Sequence, residues 1–218
     1  MNVNYPGIYT DQSGSVPITI RNDGRVLRTK IRGVEFWGYD FDGLSPEEST
    51  PAEELASFTF QHGDLCSCII ECDIPVPVVA GGEITEGRLH VRLELGEPTD
   101  RGGIDREALS LLLLVGGNTF TGSGRSGWFE DELLELQAGL PEGTYIKACI
   151  NCAFSDYSPY GHGLFGNLAC FRDNKEEYLA VTTKADIFRV WDTRTEDVQE
   201  TYLCPEFRRR RPGTGYRG

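Results

Sequence analysis

The chain has 218 residues, 39% of them hydrophobic and 25% charged, with a net charge of −13. That composition excludes a disordered chain and allows one large domain or two small ones, each able to bury a core. The last eleven residues hold five arginines and no acid, so the preceding body carries 16 basic and 34 acidic side chains, a charge of −18; such a body repels nucleic acid and anionic membrane and attracts a basic protein partner.

The N-terminus, Met1-Asn2-Val3-Asn4-Tyr5-Pro6-Gly7, has neither a basic start nor an apolar run, and the longest apolar run, 111–115, is too short to span a bilayer. The expected compartment is a bacterial-type cytoplasm, where the seven cysteines are reduced, buried or metal-bound rather than disulfide-paired.

The first 45 residues predict a strand meander. Strands over 16–20 and 26–31 flank Asn22-Asp23-Gly24, a type I′ or bulged hairpin turn. A third strand over 33–41 puts Val34, Phe36 and Gly38 on one face. Ser45-Pro46-Glu47-Glu48 and Thr50-Pro51-Ala52-Glu53 each read as a helix start, with a capping residue, Pro at N1 and Glu at N3. The second proline breaks any continuous helix, which leaves one short helix near 52–56.

Residues 58–60 and 65–79 predict β structure, and Pro75 and Pro77 point to an edge strand or a strand end. Strand 87–95 has the clearest alternation, with Leu89, Val91, Leu93 and Leu95 opposite Arg88, His90, Arg92 and Glu94. A polar loop over 97–106 leads to 109–115, a buried strand or short helix that periodicity cannot assign. A glycine-rich loop, 116–127, precedes an amphipathic helix over 128–137, with Ser126 as N-cap and Gly139 as the stop. Leu140 to Tyr145 then resembles the turn into a core strand of a β-sandwich. Further on, strands are expected at 164–171 and 198–203, a turn or short helix at 174–179 and a short helix at 184–191.

The fold expected is mainly β with short helices (α+β), a β-sandwich-like core carrying a C-terminal cysteine-containing elaboration. Residues 1–207 form one compact domain with a soft boundary near 50, and 208–218 form a basic tail. That tail either folds onto the acidic body or projects toward a partner.

Cys149 and Cys152 form a C-x-x-C pair, followed by Cys170 and Cys204. Zn²⁺ takes four tetrahedral ligands, and these four thiols supply them, with His162 as a substitute. A regular strand would put Cys149 and Cys152 on opposite faces, so a shared metal requires a tight turn there. Two other readings stand beside zinc. One is four buried small hydrophobes. The other is C-x-x-C redox chemistry, which lacks the helix N-terminus that lowers a thiol pKa. Cys66, Cys68 and Cys72 have even separations and read as one core face with Ile70.

Residues 155–163 gather Ser155, Asp156, Tyr157, Ser158, Tyr160 and His162. A catalytic reading takes His162 as base with Asp156, and Cys152 or a serine as nucleophile. A structural loop accounts for the same residues. Asp40 and Asp42 read as a polar strand end, since the rest of an EF-hand pattern is missing. The loop 122–127 lacks the Lys of a P-loop, and the acids after it oppose a phosphate.

The block 149–172, Cys-Ile-Asn-Cys-Ala-Phe-Ser-Asp-Tyr-Ser-Pro-Tyr-Gly-His-Gly-Leu-Phe-Gly-Asn-Leu-Ala-Cys-Phe-Arg, and the ending Cys204-Pro205-Glu206-Phe207 through Pro212-Gly213-Thr214-Gly215-Tyr216-Arg217-Gly218 resemble a bacterial family of unknown function, most densely over 140–218. The resemblance implies no assigned activity and transfers no site residue. The function expected is that of a non-enzymatic acidic binding protein, in its concrete form an immunity-type inhibitor of a basic toxin, with one structural Zn²⁺ on Cys149, Cys152, Cys170 and Cys204. The alternative is a hydrolase built on the 155–163 loop.

Overall fold

A computed structural model describes residues 2–161 and 163–216. Antiparallel strands are the main regular structure, and one sheet dominates. Its main strands are β1 (Val3–Asp11), β2 (Gly14–Asn22), β3 (Leu27–Ile31) and β4 (Val34–Gly38). After these come β5 (Ser45–Pro46), a short helix α1 (Ala52–Leu55) and a small hairpin of β6 (Thr59–Gln61) and β7 (Asp64–Cys66). The sheet resumes with β8 (Cys68–Ala80), β9 (Glu83–Leu95), β10 (Glu107–Val115) and β11 (Asn118–Thr121). Its order is β11-β10-β9-β8-β1-β2-β3-β4-β5, and β12 (Tyr145–Ile146) adds to β8. The mostly-β α+β character read from the sequence is the character of the fold.

The hairpin at Asn22-Asp23-Gly24 forms as its residues dictate. Gly24 takes a φ of +101°, and the Asp23 side chain accepts the backbone N–H groups of Arg25 and Val26 at 2.9 and 2.8 Å. Buried residues alternate through β3 and β4, and Val34, Phe36 and Gly38 share the buried face. The first helix-start motif instead supplies β5, whereas the second opens α1.

Two places depart from the pattern reading, and in both a proline disguises a strand. β1 runs through Pro6 and Gly7 and pairs with β2 along its whole length. Its pairing with β8 begins only at Gly7↔Cys72, so the missing N–H of Pro6 falls outside that ladder. Gly7 is required there, because a Cβ would run into the Glu71 carbonyl oxygen. β8 is interior rather than an edge. Pro75 and Pro77 pair with β9 on one side, and on the other they sit where β1 has ended at Cys72 and β12 has not begun at Val78. The gap accommodates rings that cannot donate.

β10 resolves as a strand, buried at every second residue. The glycine-rich stretch contains β11, then leads to α2 (Phe129–Ala138), which ends at Gly139. The Ser126 side chain does not cap α2, whose N-cap is Trp128. Instead the Ser126 hydroxyl donates to the buried Glu132 at 2.9 Å. The two ends of the sheet meet around α2. It packs on β10, and Phe129 lies 6.4 Å from Phe41, just past β4, with Phe165 4.9 Å from both rings. The sheet thereby wraps one continuous core.

The C-terminal module is a three-stranded sheet of β13 (Ser155–Tyr157), β14 (Leu168–Cys170) and β15 (Glu196–Val198), with helices α3 (Lys175–Leu179) and α4 (Lys184–Val190). The strand expected over 164–171 is confined to β14, since Gly166 turns with a φ of +82°. The last strand sits earlier than its pattern suggested, because Val198 pairs with Leu168 and the buried Gln199 and Glu200 then leave the ladder. Thr183 caps α4 in a reciprocal capping box with Asp186. Phe171 stacks on Tyr178 at 4.5 Å in the module's own small core. No helix among the described residues is long and apolar enough to cross a membrane.

Candidate metal centre

The segment Cys149–Asn151 is a 3₁₀ turn, closed by the Cys152 N–H donating to the Cys149 carbonyl at 3.0 Å. It therefore meets the condition that an extended C-x-x-C pair fails. The next strand brings Cys170 alongside, because Ser155, three residues past Cys152, pairs with Cys170 across β13 and β14. The backbone N–H of Cys149 donates to the Tyr202 carbonyl at 2.7 Å, and Cys204 follows two residues later, opening a turn closed by the Phe207 N–H.

All four thiols are buried. Burial pushes the Cys149 thiol far up, and Cys152, Cys170 and Cys204, in that order, push it further when charged. Burial also raises Cys170, opposed by Arg172 and reinforced by Cys152 and Cys204. The four sulfurs thus share one electrostatic neighbourhood. Among the described residues, no three His, Cys, Asp or Glu side chains stand close enough to hold a metal ion as placed.

A thiol this hard to ionise is a poor nucleophile and a poor redox centre. A divalent cation reverses that, since it exchanges a buried thiol proton for a metal–sulfur bond. His162, the substitute ligand and expected base, lies outside the described residues. The other three cysteines behave as a core face. Cys68 and Cys72 flank Ile70 on the buried side of β8, and Cys66 precedes the turn at Ser67. Burial pushes Cys68 up to about 12.

Ser155 and Asp156, at the start of the 155–163 loop, are placed for structure. The buried Ser155 hydroxyl donates to the carbonyls of Cys149 and Cys152 at 2.6 and 3.2 Å. The buried Asp156 carboxylate accepts the Tyr178 hydroxyl at 2.9 Å and the Tyr157 N–H at 3.0 Å. The chain after Cys204 closes over this module. The N–H of Ala153 donates to the Arg208 carbonyl at 2.6 Å, and the N–H of Arg210 donates to the Asn151 carbonyl at 2.9 Å.

Residues 3–155 match the model of a family of unknown function, DUF6304. The chain belongs to this family. The match takes in the whole large sheet and ends three residues past Cys152, so Cys170 and Cys204 lie beyond the DUF6304 region. The resemblance read from the sequence was densest over 140–218, which shares only 140–155 with the match. No curated protein and no solved structure matches the chain.

One carboxyl group, that of Asp40, ties the DUF6304 sheet to the C-terminal module, and a second, that of Glu200, braces the module from within. Asp40, within the family match, accepts the Phe165 N–H at 2.9 Å. Burial, then the neighbouring Asp42, push its carboxyl up to about 9. Glu200, beyond the match, is wholly buried and accepts the Tyr157 hydroxyl at 3.0 Å and the Gly166 N–H at 2.8 Å. Burial pushes it up to about 7. Asp40-Phe41-Asp42 was visible as a carboxylate pair, but its partner lies 125 residues away. Nothing local marks Glu200.

The 122–127 loop is also filled from within the chain. Glu132 accepts the N–H groups of Gly124 and Ser126 at 2.7 and 3.0 Å, and Glu135 accepts that of Ser123 at 3.0 Å. The nest of donors that could cradle an anion already holds two side-chain carboxylates.

Proposed function

We propose that this chain is a non-enzymatic acidic binding protein that engages a basic protein partner, in its most concrete form an immunity-type inhibitor of a basic bacterial toxin. Its C-terminal module is stapled by one structural Zn²⁺ on Cys149, Cys152, Cys170 and Cys204. The observation that carries the binding role is the exposed acidic segment 47–54. α1 buries none of its residues, and Glu48, Glu53 and Glu54 make no ion pair among the described residues, while Glu47 meets Arg28 at 3.4 Å. Such a segment contributes little to folding and offers a basic surface a place to dock.

What supports binding over catalysis is the placement of the candidate nucleophiles and acid. Ser155, Asp156 and Cys152 are buried, and the first two are hydrogen-bonded within the module. What supports zinc is the C-x-x-C turn with two further cysteines in the same electrostatic neighbourhood. The docking role is tested by inhibition of a panel of basic nuclease toxins at low and high salt. The reading expects stoichiometric inhibition of at least one, weakened by salt and lost on combined Glu48→Lys, Glu53→Lys and Glu54→Lys exchange. Inhibition indifferent to both, or none across the panel, would overturn it.

A further inference from the structure

The four consecutive arginines Arg208–Arg211 line one open cleft of about 730 Å³ together with Ala153, Leu179, Pro212 and Thr214. In so acidic a protein, arginines pair readily with carboxylates. None of these four does so among the described residues. The guanidinium of Arg208 lies over the Phe154 ring at 4.4 Å and that of Arg209 over Tyr145 at 4.1 Å. Stacking on rings orders a guanidinium without neutralising it.

The cleft is also held in shape. Arg210 donates to the carbonyls of Ser155 and Thr214 and to the Tyr178 hydroxyl. The Thr214 hydroxyl donates to the Arg211 carbonyl at 2.7 Å. Gly215, with a φ of +72°, lies against Tyr178 where no side chain fits. Among the described residues the Arg210 Nε is buried without a hydrogen-bond partner, so this arginine is committed to the wall of the cleft.

We infer that this cleft binds a compact anion carrying at least two phosphate groups. Guanidinium groups match phosphate oxygens bidentately, and four of them exceed the charge of a single phosphate. The volume falls within the range of small-molecule sites. Compactness follows from the rest of the protein. A long polyanion would extend from the cleft across a body of charge −18, whereas a small one stays within about a Debye length, ~8 Å, of the arginines. The cleft shares no residue with the acidic segment proposed to meet a protein partner.

The test is calorimetric titration of the full-length protein with inorganic tripolyphosphate, with sedimentation velocity on the same samples. The expected result is saturable binding of one tripolyphosphate per chain, weakening steeply with salt. Combined Arg208→Gln, Arg209→Gln and Arg211→Gln exchange should lower affinity about 100-fold and leave the thermal midpoint without ligand in place. If the triple variant does not fold, Arg211→Gln alone, whose side chain is exposed, should still weaken binding about tenfold. Absence of saturable binding, or affinity unchanged in the folded variant, would overturn the inference. So would an oligonucleotide that binds more tightly than tripolyphosphate. An arginine-dependent dimer that tripolyphosphate merely dissociates would also overturn it, and would assign the cleft to the acidic surface of a second copy.

Discussion

The Asp40 carboxylate accepts the backbone N–H of Phe165 at 2.9 Å, and this bond ties the end of β4 to the C-terminal module. Burial first, and then the neighbouring Asp42, raise the Asp40 carboxyl and favour its protonated form. The folded state therefore keeps a proton on Asp40 that the unfolded chain loses near pH 4.

That retained proton gives a pH dependence of definite sign. Asp40 is raised in the folded state to about 9, so its contribution is full below the unfolded value and is lost as pH rises through the folded one. Stability should fall between about pH 5 and pH 9 by on the order of 2 kcal/mol, a figure reduced for solvent screening at this half-buried pair. Asp40→Asn mimics the protonated form and should flatten that slope. Urea denaturation across the range checks it, and an equally steep slope in the variant would count against this assignment.

Glu132 is buried and bonded to two backbone N–H groups and the Ser126 hydroxyl. Glu132→Ala should cost about 3 kcal/mol through lost charge-assisted hydrogen bonds. It should also loosen the glycine-rich loop before the rest of the sheet. Limited proteolysis should then cut within 122–127 in the variant while the wild type resists.

Gly7 lies where a Cβ would strike the Glu71 carbonyl. Gly7→Ala should force β1 away from β8 and lower stability by about 2 kcal/mol. Hydrogen exchange should show the loss of protection concentrated at 7–10 and 69–72, the paired segments. Protection lost evenly over the sheet would place the strain elsewhere.

Much of the fold was legible because alternation is a local property. The apolar face of Leu89, Val91, Leu93 and Leu95 is the buried face of β9, and Asn22-Asp23-Gly24 turns where it should. Local rules failed where a neighbouring strand decided the outcome. Pro6 and Gly7 hide β1, and Pro75 and Pro77 disguise β8 as an edge, because sequence cannot show that β1 stops before β12 starts. The end of the last strand also depended on its partner, for it is set by Val198 opposite Leu168. At the candidate site, the requirement of a turn at Cys149–Cys152 could be stated from spacing. The roles of Asp40 and Glu200 could not, since both act across long chain separations.

The central claim is that Cys149, Cys152, Cys170 and Cys204 hold one zinc ion and staple the module that follows the sheet. Elemental mass spectrometry on untagged protein, with a count of accessible thiols before and after chelation, tests it most directly. The account expects one zinc per chain and four protected thiols that become reactive when zinc is removed, at sulfur–metal distances of about 2.3 Å by X-ray absorption. Metal-free protein that is fully folded, with Cys149 or Cys152 reacting readily at neutral pH, would contradict it.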